Sequence, residues 1–445
     1  MFREKIKANI NKNHKYKYEY EYKTDKNMKE KNRYKTDKNM KEKKEKEINK
    51  DINNGIKKDI NIEKDIKEAL RQFEDILREQ IERCENMKAL SEKPEEISES
   101  KKEILIGLIA GDGIGPVIMS EVSRVLRKLL AGEIRDGKIK LKDIRGLTLE
   151  NRLSKGKTVP TEVLSEMRKC DVLLKGPTTT PSSDNRVINL ESANVFLRKE
   201  FDLFANIRPV KIPSLGIDWT FFRENTEGEY ALGSSGIRIG DKFSLDFKVT
   251  SYEGTRRIAR SAFEYARKND KKKVSVVTKA NIMKKTDGDF LRICKEVASE
   301  YPEIEVDSWF VDIMVANLIN EEMRKNFEVI ILPNLYGDII TDEAAEIQGG
   351  VGTAGSANIG TSYAIFEAIH GSAPRMVLDG LSDKANPSSL LRASVMMLEH
   401  IGYGEKAREL EKAIYETDKV MGEKMTGLRD GATCKEYTDN LLMRI

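Results

Sequence analysis

The chain has 445 residues, with 78 Lys and Arg against 74 Asp and Glu and a formal net charge of +4. That length holds two or three domains. The positive excess is local: residues 1–60 carry 20 Lys and Arg against 11 Asp and Glu, so the remainder is slightly acidic and offers no overall basic surface for nucleic acid. Four widely spaced cysteines (Cys84, Cys170, Cys294 and Cys434) form no CxxC pair, which argues against a disulfide framework or a zinc site and fits a reducing cytoplasm. No apolar run approaches the roughly 18 residues of a membrane span. The start has neither a secretory apolar core nor the acid-poor composition of a mitochondrial transit peptide.

Residues 1–60 are low in complexity. Tyr22-Lys-Thr-Asp-Lys-Asn-Met-Lys-Glu-Lys31 recurs from Tyr34 to Lys43, a period of 12. So little apolar surface cannot offset the entropy of ordering, and the segment is expected to be a disordered tail. Tyrosines interleaved with charge also suit an RNA- or membrane-binding arm, but a solvated tail or translated upstream sequence is the plainer reading. Residues 61–102 read as an amphipathic helix over 62–90, with Ile66, Leu70, Phe73, Leu77 and Ile81 at spacings of three and four, and a polar linker from Ser91 to Lys102 interrupted by Pro94.

The folded body is predicted from residue 103. Ile104–Ala110 is a buried strand, Gly111-Asp-Gly-Ile-Gly-Pro116 a tight loop and Val117–Leu130 a helix, an α/β opening. The loop resembles a phosphate cradle or a plain strand-to-helix turn, and it is not the GxGxxG fingerprint. Asp171–Leu174 is a second strand. It ends at Lys175-Gly-Pro-Thr-Thr-Thr-Pro181, where ligands bind in open α/β sheets. A polar, mobile loop is expected over Ser182–Leu190. Ser192-Ala-Asn-Val-Phe-Leu-Arg198, Arg208-Pro209 and Arg223-Glu-Asn-Thr-Glu-Gly-Glu-Tyr230 follow. Guanidinium forks match carboxylates, so three converging arginines suit a polycarboxylate; otherwise they are unrelated ion pairs.

Val274–Thr278 is a strand ending at Lys279-Ala-Asn281, and a lysine so placed acts as a base if burial or a nearby cation lowers its pKa. Trp309-Phe-Val-Asp312 puts an acid before an apolar helix. Val329–Leu332 leads to Asn334-Leu-Tyr-Gly-Asp-Ile-Ile-Thr-Asp342. Asp338 and Asp342 lie four apart, on one face of a helix if one begins there. They read either as oxygen ligands for a hard cation or as a cap and a surface acid. His370, one of three histidines, stands in the loop Phe366-Glu-Ala-Ile-His-Gly-Ser-Ala-Pro374, which favours ligand contact.

In this order the segments resemble the β-decarboxylating dehydrogenases, the isocitrate and 3-isopropylmalate dehydrogenase family, from about Ile104 to the C-terminus. The resemblance implies a fold of two α/β domains with a non-classical dinucleotide site. The large domain would combine 103–203 with 349–445, and 204–348 would form a small domain with a hairpin arm near Ala231–Ser251 that helps dimerisation. It implies metal-dependent oxidative decarboxylation of a 2-hydroxy acid with NAD or NADP. Asp338 and Asp342, with Asp312 of a second subunit, would hold Mg²⁺ or Mn²⁺. Lys279, also of that subunit, would accept the hydroxyl proton, and Tyr230 would protonate the enolate carbon. Arg198, Arg208 and Arg223 would hold carboxylates. Thr179, Asn281, His370, Gly371, Arg375 and Asn386 would contact the cofactor, with Arg375 standing where NAD-specific members carry an aspartate and so leaning to NADP. A homodimer is the minimum unit.

Ser192 and Asn194 precede Arg198 at the spacing of the isocitrate enzymes, which selects isocitrate over isopropylmalate or homoisocitrate. A non-catalytic regulatory subunit is the reading from another class, but Tyr230, Lys279, Asp312, Asp338 and Asp342 are all present. An apolar substrate arm would leave the Ser192 and Asn194 polar groups unpaired. Ser192→Leu is therefore expected to lower isocitrate turnover by at least about tenfold in initial-rate assays; unchanged kinetics would remove the basis for choosing isocitrate.

Overall fold

The structure is a computed structural model that describes residues 30–88, 103–181, 190–233 and 235–445. The tail before residue 30, the predicted linker 91–102 and the loop 182–189 lie outside the described residues. A single helix, Glu30–Lys88, includes residues 30–60 that composition assigned to a disordered tail. That expectation is corrected. Lys and Glu are good helix formers, and the stretch contains no proline to interrupt them. Residues 1–70 with 239–241 group as one unit, and 71–238 with 242–445 as another.

In chain order the strands are β1 (Ile104–Ile109), β2 (Ile139–Asp143), β3 (Val172–Lys175), β4 (Ala205–Ile212), β5 (Ile217–Glu224), β6 (Ile237–Ile239), β7 (Phe243–Leu245), β8 (Lys273–Thr278), β9 (Glu305–Phe310), β10 (Val329–Leu332), β11 (Gly355–Ile359) and β12 (Ala364–Ala368). One sheet of ten runs β2-β1-β3-β12-β11-β4-β5-β10-β8-β9. β6 and β7 form a separate ribbon within the segment expected as a hairpin arm. The outer blocks are parallel, while the β12/β11, β11/β4 and β4/β5 pairs are antiparallel. The two segments expected as separate domains therefore share one sheet, joined at β11 and β4.

The antiparallel centre matters for function. Strand side chains alternate between faces. Asn206 and Arg208 on β4, and Ser356 and Asn358 on β11, are therefore spaced to share a face. The register sets Glu367 opposite Ser356 and also opposite Lys175, while Asn206 lies between Asn358 and Arg223. Polar side chains thus cross the middle of a sheet that is otherwise apolar. The main core combines Ile106, Val122 and Leu174 with Phe222, Phe263 and Ile331.

The glycine loop after β1 is a plain turn packed backbone against backbone. Asp112 N donates to Pro177 O at 2.8 Å and Ile114 N to Ser372 O at 3.1 Å. At Gly113, where φ is +60°, an added Cβ would stand 1.9 Å from Ser372 O. The phosphate-cradle reading fails because the chain itself fills that space. The loop instead ties the end of β3 to the loop after β12. Gly113→Ala is expected to cost at least about 2 kcal/mol through left-handed strain and this clash, measured by denaturant unfolding. An unchanged midpoint would contradict the packing described.

Candidate active site

A cavity of about 240 Å³ opens over the antiparallel centre of the sheet. Its walls bring together nine of the residues singled out from sequence: Ser192, Asn194, Arg198, Arg208, Tyr230, Asp338, Asp342, His370 and Gly371. Each wall has a local cause. Helix Ala193–Glu200 carries Asn194 and Arg198 one turn apart, with Ser192 at its N-cap. Helix Asn334–Gln348 starts directly after Pro333 and places Asp338 and Asp342 on one face.

The acids and arginines are interlocked. Arg208 Nη1 donates to Asp342 Oδ1 at 2.9 Å and to the Thr341 hydroxyl at 2.6 Å. Arg223, fully buried, donates to Asp338. The Tyr230 hydroxyl donates to the other Asp338 oxygen at 2.8 Å. Burial opposes ionisation of Asp338, but Arg223 and Arg208 outweigh it, so its carboxyl sits below the usual range. Burial, then the Asp338 charge, raises the Tyr230 phenol. Burial also lowers the His370 imidazole, favouring its neutral form. Arg198 Nε and His370 Nε2 are buried without a hydrogen-bond partner, both in residues that line the cavity.

Other expected site residues stand elsewhere. Arg223 is behind the cavity wall, where Nε and Nη2 both donate to Asn334 Oδ1, at 2.9 and 2.6 Å. Thr179 is beside the cavity, its hydroxyl 2.7 Å from that of Ser372. Asn386 accepts the Ser388 N–H at 3.0 Å. The Arg375 side chain is 95% exposed, 3.9 Å from Asp379. Lys279, Asn281 and Asp312 follow β8 and β9 at the far edge of the sheet and are not among the cavity residues. Lys279 Nζ donates to Asp312 at 2.5 Å, and that hydrogen bond is the main reason the Asp312 carboxyl is held below its ordinary value.

The isocitrate/isopropylmalate dehydrogenase family model matches residues 105–441. The chain belongs to this family. It is 43% identical over 321 residues to an NADP isocitrate dehydrogenase of Rickettsia prowazekii, covering 69% of this chain and 62% of that protein. This chain therefore spans less than two thirds of that relative. It is 37% identical over 355 residues to subunit 2 of a mitochondrial NAD isocitrate dehydrogenase of Schizosaccharomyces pombe, covering 78% and 89%. The crystal structure of isocitrate dehydrogenase from Methylococcus capsulatus superposes with a TM-score of 0.67 at 34% identity, covering 77% of this chain and 99% of that one.

Within this family member, Asp338 and Asp342 form an all-oxygen pair one turn apart, suited to a hard cation. Among the described residues, no group of three or more His, Cys, Asp or Glu side chains is placed to hold a metal. Asp312 remains apart, so a single chain supplies only part of the expected ligand set.

Several residues that build the site carried no role in the sequence reading. Lys175 Nζ lies 2.8 Å from Glu367, and Asn358 donates to the same carboxylate at 2.8 Å. Asp112 accepts the backbone N–H of Thr179 at 2.8 Å. Arg152, fully buried, donates to the carbonyls of Thr179 at 2.7 Å and Glu191 at 3.1 Å, joining the two segments that flank the cavity. A charged residue ending an apolar strand was the available signal for Lys175. Nothing local marks Arg152.

Burial opposes the Glu367 charge, but Lys175 and Arg198 overcome it and hold the carboxyl at about 2, against an ordinary 4.5. Its ionised form therefore contributes stability that is fully present above the unfolded pKa and lost as pH falls toward about 2. Glu367→Gln is expected to flatten the loss of stability across that window and, by stranding Lys175, to cost about 3 kcal/mol at neutral pH. Denaturant melts at several pH values measure both, and a slope equal to that of the parent would contradict the assignment.

Proposed function

We propose that the chain oxidises isocitrate to 2-oxoglutarate and CO₂, with NADP⁺ as the preferred oxidant and Mg²⁺ or Mn²⁺ as the metal. The observation that carries this reading is the convergence of Ser192, Asn194, Arg198 and Arg208 on one cavity, with Arg198 Nε unpartnered. The charges agree. Lys175, Arg198 and Arg208 balance Asp338, Asp342 and Glu367, and Arg223 adds one positive charge. A divalent cation together with a trianionic tricarboxylate adds one negative charge, which offsets that excess.

In this reading Asp338 and Asp342 hold the cation, with Asp312 of a second copy. When bound, the metal supplies Lewis acidity at the substrate hydroxyl and ketone, and the nicotinamide accepts the hydride. Arg198 and Arg208 orient the carboxylates, with Arg223 as their support, and Ser192 and Asn194 hydrogen-bond the γ-carboxylate. Lys279 of the second copy takes the hydroxyl proton. Tyr230 keeps its proton at neutral pH and supplies it to the carbon left after CO₂ departs. Thr179, His370, Gly371 and Asn386, with Asn281 of the second copy, would hold the dinucleotide.

The homodimer proposal has support in exposed apolar side chains that flank residues at the sheet edge and at the cavity. Ile282 beside Asn281 is 66% exposed, Ile313 beside Asp312 46% and Ile339 beside Asp338 59%. The NADP⁺ preference rests on Arg375, whose guanidinium suits a 2′-phosphate; Arg429 lies nearby, donating to the Asp379 carbonyl at 3.4 Å.

Initial rates of the full chain with Mg²⁺, on isocitrate and on isopropylmalate, each with NAD⁺ and NADP⁺, test the reading. Turnover of isocitrate alone is expected, faster with NADP⁺; turnover of isopropylmalate would overturn the substrate. Arg375→Asp is expected to shift the cofactor ratio toward NAD⁺ by about tenfold, roughly the worth of one charge-assisted contact. No shift would overturn the role of Arg375.

A further inference from the structure

The loop that delivers Tyr230 to the cavity is held by a residue outside the span of the family. Glu224 ends β5 and Glu227 lies in the turn that follows; each is 2% exposed. Two buried carboxylates this close repel unless a cation or a proton joins them. Arg83 supplies the cation. Its Nη2 donates to Glu227 Oε1 at 2.9 Å. Arg83 belongs to the helix Glu30–Lys88, upstream of residue 105 where the family model begins. Burial and the Glu227 charge push the Glu224 carboxyl up to about 7, and Arg83 opposes that rise.

The last turns of this helix are seated on the body. Phe73 stacks on Phe247 with ring centres 5.6 Å apart, and Ile76 packs with Ala231 and Leu232. Arg257 donates to the Met87 sulfur at 3.5 Å. From Glu227 an unbroken series of contacts leads to the cavity. The Glu227 carbonyl accepts from Asn334 Nδ2 at 2.8 Å. Asn334 Oδ1 receives both nitrogens of Arg223 described above. Arg223 holds Asp338, which holds Tyr230. The turn rests directly on Asn334: a Cβ added at Gly228 would stand 2.9 Å from the Asn334 Cβ.

We propose that Arg83 is a positioning residue, through which the N-terminal helix clamps the Glu224–Tyr230 loop and so sets Tyr230 and Asp338 for the reaction. This rests on the isocitrate reading above for its kinetic consequence, but not for the contact itself. Full-length Arg83→Ala and Arg83→Lys are compared with the parent by hydrogen exchange, thermal melting and isocitrate kinetics. In Arg83→Ala, exchange is expected to accelerate at 224–230 and 334–337. The kcat is expected to fall by about tenfold or more, with the KM for NADP⁺ within about twofold, because a small displacement of a proton donor slows chemistry more than cofactor binding. Lysine keeps the charge and is expected to restore most of the rate. Unchanged exchange at 224–230 would overturn the clamp, as would an unchanged kcat in Arg83→Ala when the parent is active. If the parent does not turn over isocitrate, the functional reading fails, and the exchange result alone decides the clamp. A melting midpoint lowered without any change in exchange at these segments would also count against it.

Discussion

Charged side chains in the middle of a sheet must find partners, since an unpaired buried charge costs several kcal/mol. Lys175, Glu367, Arg208 and Arg223 stand in that position, on β3, β12, β4 and β5, in or beside the antiparallel centre. Neighbouring acids and amides balance them, but the balance is exchangeable. Asp338 and Asp342 satisfy Arg223 and Arg208 and also line the cavity. A cation taken by these carboxylates and an anion taken by the guanidiniums would replace one set of pairs by another with little change in net charge. The sheet supplies the rigidity this requires, because strand residues are fixed by their neighbours on both sides.

The parts of the site that were legible in sequence are those set by short spacings. Asp338 and Asp342 four apart needed only local periodicity, and Ser192, Asn194 and Arg198 were found through the family spacing, which the structure places at the N-cap and on one helix. The convergence of Arg198 with Arg208 did not follow from spacing, because it depends on β4 pairing with β11, more than a hundred residues away along the chain. Lys175 and Glu367 were missed for the same reason: their partnership is a matter of parallel register between β3 and β12. The glycine loop misled in the other direction, since a phosphate cradle and a backbone-packed turn use the same residues. Composition also misled over 30–60, where low hydrophobicity argued for disorder although the residues themselves favour a helix.

The position of Lys279, Asn281 and Asp312 follows from topology. They end β8 and begin the segment after β9, on the strands farthest from β3 and β12, whose ends wall the cavity. The groups assigned to metal binding and proton removal therefore divide into a set at the cavity and a set at the sheet edge. Under the proposed function, two copies arranged so that each edge completes the other's cavity would reconcile these positions with the chemistry.

Mixing two full-length variants tests that division most directly. Tyr230→Phe damages the cavity set and Lys279→Met the edge set, and each homodimer is expected to be nearly inactive with isocitrate. Co-refolded as a mixture, half of the dimers carry one intact site, and activity is expected to return to about a quarter of the parent value. A mixture no more active than the average of its two components would contradict a site shared between copies.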